Sequence, residues 1–408
     1  TQAKTLFPYT TLFRSGIVAG YTAKNPYQIR VTSDLPLTLV VTAECPEGIY
    51  CFDSPEAALE SVFFKDVKTG NLKKYLQLGV DEFPVIVPTI VSVVNIKYED
   101  DEAEVKVVDE DLMKSSIIEA VNALKKASST INKASKISAP VSYKPDVICV
   151  PDYHVNDLDI CNAMKTVCEY LGARTFIDLD AELNADALAF RANFTTDRIT
   201  PIKCGLAKWN TETNQSEFYD ASAIAAFLRV YIDGQSTVGY AKSISNRILP
   251  FSSVKYPVEF IAGKKDETDS LTDNQIMSFI SHKGIRTWEY ATCTNTIWKD
   301  ARRVRIFDLA AQATIDALFE CVDKDMSELF AAKRALENFM DDLVGQDIMV
   351  DGFRVYLNTK LTTQTAIDNG EFYLMVDCDE MPSPRLINVT YNKVSQSAER
   401  IYKLIEEA

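Results

Sequence analysis

Short apolar runs and amphipathic stretches divide the chain into three regions. In the first, the apolar runs at 16–19, 37–42 and 84–94 predict strands. The residues Ser-Pro-Glu at 54–56, a hydroxyl cap followed by proline and an acid, predict the start of a helix, and a second helix follows Gly70. This order predicts a compact α+β region over residues 16–112.

From Pro145 onward, buried strands alternate with helices. Strands are predicted at 146–151, 174–180 and 199–209, and helices at 156–171, 185–194 and 221–232. Strands separated by helices of about 10–15 residues are typical of βαβ units in a mostly parallel sheet. We therefore predict an α/β domain over residues 113–282. The acidic stretch at 97–111 indicates a hairpin or a solvated loop, with a cation site as the alternative.

The last third has a different pattern. A strand is predicted at 284–293, followed by two amphipathic helices whose apolar faces are Phe307, Ala311, Ile315, Leu318 and Val322, and Leu329, Ala332, Leu336, Phe339 and Leu343. Strands at 352–357 and 371–378 are typical of an antiparallel pair. Pro382 and Pro384 then lead into an extended apolar and polar alternation with a short polar helix. We predict an α+β domain over 283–385 and a C-terminal arm over 386–408.

The composition and net charge of the chain argue against some classes of binding partner. The 408 residues include 43 Lys and Arg against 58 Asp and Glu, a formal net charge of −15, so the chain repels phosphate backbones and anionic lipid. No apolar run approaches the ~18 residues needed to span a bilayer. We expect neither a nucleic-acid nor a membrane partner. Nine cysteines without a CxxC pair indicate reduced thiols packed as small hydrophobes in a cytoplasmic setting.

The inventory of catalytic residues is small. Only two histidines occur, and His154, just after a predicted strand end, is interpreted as a surface or helix-start residue because no serine motif accompanies it. Phosphate-binding glycine loops and metal-ligand spacings are absent from the sequence. We expect no catalytic residue, no cofactor and no metal, which favours a structural or binding protein over an enzyme.

One string of residues supports an enzymatic alternative. A strand that ends in Asp178-Leu179-Asp180 resembles the nucleophile motif of haloacid-dehalogenase-type phosphotransferases, in which one carboxylate attacks phosphorus and the pair holds magnesium. The residues that follow, Ala181-Glu182-Leu183, depart from that motif. An acidic strand end that faces solvent is the other interpretation. A magnesium-dependent phosphatase activity lost on Asp178→Asn would favour the enzyme.

A basic string stands out against the acidic whole. Arg302, Arg303 and Arg305 lie at the start of a predicted helix, where cations oppose the macrodipole. The string is either a solvated helix face with intrahelical ion pairs or a surface for an acidic partner. Lys324, Lys333 and Arg334 are a second set of cations of the same kind.

The first residues have a separate origin. Residues 5–15, TLFPYTTLFRS, fit no pattern that continues into the rest of the chain and resemble one reading frame of a common sequencing adapter. We interpret residues 1–15 as a scar that replaces the native N-terminal arm, and exclude them from the fold prediction. The chain as printed is then expected to stay monomeric or to assemble poorly.

Five segments occur in a characteristic order along the chain: PDVICVPDY, RTFIDLD, GIRTWEYATC, DLAAQATIDALFECVDK and NGEFYLMVDCDEMPSPRLINVTYNKVS. In this order the chain resembles the contractile tail sheath proteins of myophages and R-type pyocins, from residue 16 to the end. The resemblance implies a central subtilisin-like α/β domain without a catalytic triad, a C-terminal handshake-type sheath domain, and terminal arms that add strands to neighbouring subunits.

The resemblance also implies partners and a location. Sheath subunits polymerise helically, in hexameric rings around an inner tail tube, between a baseplate and a tail terminator protein, and contraction drives the tube through a cell envelope. The location implied is the virion tail, assembled in the host bacterial cytoplasm. For the arm, Leu386, Val389 and Tyr391 are the expected anchors. For the tube-facing surface, the implied candidates are Arg302, Arg303 and Arg305, and then Lys324, Lys333 and Arg334.

Overall fold

The computed structural model describes residues 27–32, 35–99, 107–126, 144–210, 214–393 and 397–407. Residues 1–15 and the strand predicted at 16–19 lie outside the described residues. So does the middle of the acidic stretch, whose two ends meet in an antiparallel bridge between Tyr98 and Val108. Of the two structures predicted for this stretch, a hairpin or a solvated loop, the bridge favours the hairpin.

The strands, numbered in chain order, are β1 (Leu37–Thr42), β2 (Gly48–Phe52), β3 (Thr89–Val94), β4 (Val147–Cys149), β5 (Arg174–Leu179), β6 (Ile199–Lys203), β7 (Leu206–Asn210), β8 (Gln215–Tyr219), β9 (Ile248–Leu249), β10 (Ser253–Val254), β11 (Ser278–Ser281), β12 (Ile285–Trp288), β13 (Arg354–Leu357) and β14 (Leu374–Asp377). The α-helices are α1 (Pro55–Glu60), α2 (Leu72–Glu82), α3 (Glu110–Ala123), α4 (Leu158–Leu171), α5 (Asn184–Arg191), α6 (Ala221–Gly234), α7 (Glu267–Asp273), α8 (Ala301–Leu318), α9 (Met326–Gly345), α10 (Gln364–Asp368) and α11 (Ser397–Glu406). Short 3₁₀ turns lie at Leu124–Lys126, Gly239–Ala241, Ile297–Lys299 and Phe319–Cys321.

Side chains just before the helices determine where several of them begin. Ser54 accepts the Ala57 N–H before α1, and Asp157 accepts the N–H groups of Asp159 and Ile160 before α4. Each such acceptor satisfies a backbone donor that has no partner within the helix, and typically contributes about 1 kcal/mol. The predicted helix at 156–171 therefore begins at Leu158.

A six-stranded sheet with the order β2-β3-β1-β4-β5-β6 forms the centre of the molecule. All neighbours in it are parallel except β2, which is antiparallel to β3. Side chains alternate between its faces, so Leu39 and Val41 lie in one core and Val40 lies in the other. Helices α2 and α6 cover the first face, and α3 and α4 cover the second. Both faces of the parallel strands are buried, which explains their continuous apolar runs.

The predicted strand at 199–209 is two strands. Cys204 has φ 58, and a Cβ on Gly205 would lie 2.5 Å from the carbonyl oxygen of Tyr219. The chain therefore turns between β6, in the central sheet, and β7, in a small sheet of order β10-β7-β8. A third sheet has the order β11-β12-β9.

A separate hydrophobic core holds the C-terminal helices together. From α9 it contains Leu336 and Phe339, as the predicted apolar face of that helix requires. The face predicted for α8 is wrong, because the core takes Ile306 and Leu309 from that helix, whereas Ile315 of the predicted face is 39% exposed. Residues near the start of the described chain also belong to it, because Ile29 and Leu35 pack among these helices. The antiparallel pair β13–β14 contributes Val355.

Two predicted domain boundaries differ from the structure. The boundary between residues 112 and 113 is wrong, because β1 and β3 pair with β4 in one sheet that contains strands from both sides of it. The boundary between 282 and 283 is wrong as well, because β12 pairs with β11. The buried residues of the C-terminal core are Ile29, Leu35, Tyr240 and Ala241, together with residues from Ile306 onward. The molecule is a mixed α/β protein of more than one core.

Candidate functional site

The carboxylates at the end of β5 have different partners. Asp178 is buried and accepts the Ser222 N–H at the start of α6, at 3.1 and 3.2 Å from its two oxygens. Asp180 lies after the strand and pairs with Lys255 Nζ at 2.6 Å. One carboxylate therefore caps a helix and the other is neutralised at the edge of the molecule. Nothing in the described residues supports the phosphohydrolase alternative.

His154 is fully buried, so its interpretation as a surface residue is wrong. Its Nδ1 lies 2.5 Å from the Val150 carbonyl oxygen, and its Nε2 lies 2.8 Å from an Asp178 carboxylate oxygen. A catalytic triad needs a nucleophile on the second ring nitrogen. The nearby Ser222 hydroxyl instead lies 3.7 Å from Cys149 Sγ. The three residue types of a triad meet here, but the hydroxyl is not on the histidine.

Among the described residues, His154, Asp178 and Asp220 come nearest to a metal-ligand set, with one ligand atom each within 4.8 Å of the others. Their polar atoms already have hydrogen-bond or ion-pair partners within the chain. Asp220 accepts the Asp152 N–H at 2.5 Å, while Asp178 holds α6 and His154. The cluster therefore ties the loop after β4 to β5 and α6.

Burial and mutual charge shift the pKa values in this cluster. Burial lowers the pKa of His154, but the hydrogen bond and the charge of Asp178 outweigh it and raise that pKa above its usual value. Burial, and then the charge of Asp178, raise the pKa of Asp220 to about 7. The folded protein therefore binds protons that the unfolded chain releases at neutral pH.

The free energy of unfolding is expected to fall as the pH rises from about 6 to about 8. The pKa values of His154 and Asp220 are higher in the folded protein than in the unfolded chain. Proton binding to these two groups therefore stabilises the fold fully at pH values below their pKa in the unfolded chain. This stabilisation is lost as the pH rises through their pKa in the folded protein. Urea unfolding at both pH values measures this. Asp220→Asn should reduce the difference between the two pH values, whereas Asp273→Asn, at an exposed acid, should leave it unchanged. Equal differences in all three proteins would contradict the assignment.

The first set of basic candidates points into the molecule. Arg305 is 1% exposed and pairs with Asp233 and Asp146 at 2.5 and 2.8 Å, so its assignment to a tube-facing surface is wrong. Arg302 donates to the carbonyl oxygens of Ala241 and Met381, at 2.5 and 2.7 Å. These side chains join α8 to other segments of the fold. The helix start itself is capped by Asp300, which accepts the Arg302 N–H.

Arg303 also has partners within the chain. It pairs with the buried carboxylate of Glu380 at 2.6 Å, and its guanidinium donates to the Ile297 carbonyl oxygen. The second set lies on α9 and the loop before it: Lys324 and Arg334 are exposed, and Lys333 is half-buried and paired with Glu337. This second set therefore carries the more accessible charges.

The C-terminal arm leaves the molecule with its apolar side chains uncovered. Residues 382–393 have no regular secondary structure. The exposed fraction is 77% for Leu386, 67% for Val389 and 93% for Tyr391. Side chains of this kind are ordinarily buried in a folded chain. The arm thus carries the surface expected of a segment that is covered by another molecule.

The two-stranded sheet β13–β14 has open edges in the described part of the chain. Its strands pair from Arg354–Asp377 to Leu357–Leu374, and no further strand of the described residues joins them. A groove of about 420 Å³ beside β13 is lined by Glu337, Phe353, Arg354, Val355 and Tyr356. Unpaired backbone donors and acceptors at a sheet edge can bind an added strand.

Sequence reasoning missed the residues that fix the start of the arm. Arg385 pairs with the buried Glu289 at 2.5 Å and with Asp300 at 3.4 Å. Together with Arg302 and Arg303, which hold residues 380–381, it fastens the chain just before the arm begins. These pairs join positions about 80–100 residues apart, so no local spacing could have shown them.

Within the described residues, no helix combines the length and the apolar composition that a bilayer span requires. No family model matches the chain. The chain is 26% identical over 244 residues to a prophage major tail sheath protein of Pseudomonas aeruginosa (strain UCBPP-PA14), a match that covers 59% of this chain and 62% of the relative. It is 23% identical over 257 residues to the tail sheath protein of Escherichia phage P2, covering 60% of this chain and 62% of the relative. The matches thus span about three fifths of the length of these curated relatives.

A solved structure extends the likeness to most of the chain. The helical sheath of the anti-feeding prophage in its contracted state has a similar fold, with a TM-score of 0.66 and 16% identity, over 93% of this chain and 99% of that one. This similarity establishes the fold. At 16% sequence identity it does not by itself establish a shared function. The resemblance to the contractile tail sheath proteins is thereby confirmed, in sequence over about three fifths of the chain and in fold over nearly all of it.

Proposed function

We propose that this chain is a structural subunit of a contractile tail sheath, which polymerises helically by exchange of terminal arms and contracts to drive an inner tube through a cell envelope. The observation that carries the proposal is the uncovered apolar arm at 386–393, on a molecule whose small C-terminal sheet has open edges. The sheath relatives support the same role.

Both ends of the described chain leave from the C-terminal core. At the N-terminal side, Tyr27 donates to Glu328 at 2.7 Å, and Ile29 packs beside α9. At the C-terminal side, Arg385 fastens the chain before the arm. Segments that continue from either point can reach another copy without rearrangement of the body. A head-to-tail contact whose rotation does not close generates a helical polymer.

The acceptor that we propose is the sheet β13–β14 of a neighbouring copy. An added strand would satisfy the backbone groups at its edge, and alternate side chains of the arm would enter the groove beside Phe353 and Tyr356. The alternation of the arm places Ile387, Val389 and Tyr391 on one face and Leu386 on the other. All four side chains are exposed in the single subunit.

The remaining elements of the proposal follow from the sheath role. Its partners are other copies in hexameric rings, an inner tail tube, and baseplate and tail terminator proteins, and the subunit is assembled in the host bacterial cytoplasm and resides in the virion tail. For the tube-facing surface, Lys324, Lys333 and Arg334 remain candidates. The sheet and its helices constitute the central subtilisin-like domain.

The energy source proposed is the lattice itself, with no enzymatic activity and no cofactor. If the extended polymer is metastable, a small fall in free energy per subunit, summed over a long tube, drives contraction. The occupied hydrogen-bonding atoms of Asp178 and His154 support a structural use of the residues that most resemble a catalytic set.

Electron microscopy of the chain expressed with the tail tube protein encoded beside it tests the proposal. Tubular polymers of a long and a short lattice are expected. A second sample, in which residues 1–15 are replaced by the native segment, should assemble more readily than the chain as printed. Folded subunits that stay solitary in both samples at high concentration would contradict the proposal.

A further inference from the structure

The helix at the end of the arm has an apolar face that nothing in the described subunit covers. Ile401, Leu404 and Ile405 of α11 lie on one side of the helix at spacings of three and four residues. Their exposed fractions are 52%, 68% and 68%. A ten-residue helix is marginal in water on its own, so its stability must come from a surface against which this face packs.

An exposed apolar patch lies near the end of α8. Ile315 and Phe319 are four residues apart on one side of α8 and the turn that follows, with exposed fractions of 39% and 67%. The neighbouring row carries the exposed acids Asp316 and Glu320. On α11, Arg400 borders the apolar face beside Leu404. The two surfaces are therefore complementary in apolar character and in charge.

The length of the arm is compatible with this placement. Residues 386–393 span about 26 Å when extended, whereas β13 spans about 13 Å, so an arm that pairs with β13 continues past the sheet by about 13 Å. Three further positions of the sequence separate this segment from α11, and three residues can span at most about 10 Å. Glu337, in the groove beside β13, lies about 16 Å along α9 from its start at Met326. The turn at Phe319–Cys321 contacts α9.

We infer that α11 docks its apolar face on the Ile315 and Phe319 patch of a second copy, as a second anchor delivered by the exchanged arm. This inference rests on the proposed arm exchange, since it requires residues 386–393 to lie on that copy. The occupant is a copy of this chain because α11 follows the arm after only three residues. Arm exchange thus transfers a strand and a helix together, and both must detach for a subunit to leave the polymer.

Photo-cross-linking in the assembled polymer tests the inference. A benzoylphenylalanine at Leu404 should cross-link to residues 315–319, and isotopically mixed polymers should show that the two peptides come from different copies. The same probe at Lys403, on the opposite side of α11, is the matched control and should lose most of that product. Phe319→Ser, a change at an exposed position that leaves the body folded, should abolish the Leu404 product.

A probe at Val389 separates the failure of this inference from the failure of the proposed function. If Val389 cross-links to β13 or β14 of another copy while Leu404 reaches other residues or its own copy, the helix docking is overturned and arm exchange stands. If Val389 cross-links only within its own copy, arm exchange fails and the docking of α11 fails with it. A Leu404 product that survives Phe319→Ser unchanged also overturns the docking.

Discussion

Placing charges on one face of the C-terminal arm is expected to weaken assembly strongly while leaving the folded subunit intact. Val389→Asp combined with Tyr391→Asp puts two carboxylates where the proposed acceptor groove buries apolar side chains. Burying each such side chain is worth about 1.5–3 kcal/mol. At 1.4 kcal/mol for each factor of ten, the concentration needed for assembly should rise about a hundredfold or more.

The same arm offers a control with equal charge. Asn388→Asp combined with Thr390→Asp adds two carboxylates to the other face, which holds no large apolar side chain at those positions. Sedimentation of polymers over a concentration series measures both variants. All four positions are exposed in the subunit, so urea unfolding should change by no more than about 0.5 kcal/mol in either variant. Equal assembly of the two variants would contradict the role of this face.

The largest loss of stability is expected from Asp233→Ala. Asp233 lies between two buried guanidinium groups, with one carboxylate oxygen 2.8 Å from Arg229 Nη2 and the other 2.5 Å from Arg305 Nη2. The side chains of all three residues are at most 1% exposed. Removal of the shared carboxylate leaves two buried cations facing each other, which typically costs about 3–5 kcal/mol. Urea unfolding measures the loss.

Two controls identify the cause as unpaired charge. Asp341→Ala, at an exposed position on α9, should change the free energy of unfolding by about 0.5 kcal/mol or less. Replacing Arg229, Asp233 and Arg305 together with apolar residues of similar volume should recover part of the loss, because it removes both buried cations, although Asp146 then loses its ion pair with Arg305. A triple variant as unstable as Asp233→Ala would indicate that packing, not charge, sets the cost.

These buried pairs explain why the sequence misleads at the start of α8. Four cations in seven residues look like a surface for an acidic partner, and nothing local distinguishes that from an internal role. The partner of Arg305 is 72 residues away, and that of Arg303 is 77 residues away. Because the fold brings these positions together, the direction of each arginine is a tertiary property. The same holds for Arg385 and its pairing with Glu289.

Local features were predicted more successfully because their causes are local. The apolar run at 37–42 coincides with β1, and the Ser-Pro-Glu start coincides with α1. The division of the sheet into two domains failed because the acidic hairpin and the polar stretch after α3 look like a boundary, although β4 continues the sheet beside β1. His154 was misplaced for a similar reason, since its burial depends on Asp178.

Exchange of the arm between copies is the central claim, and a cryo-electron microscopy reconstruction of the polymer at side-chain resolution tests it most directly. We expect the density of residues 386–393 to run from one subunit to the β13–β14 sheet of another and to pair with its edge. A polymer in which residues 386–393 lie against their own subunit, with the edges of that sheet empty, would contradict it.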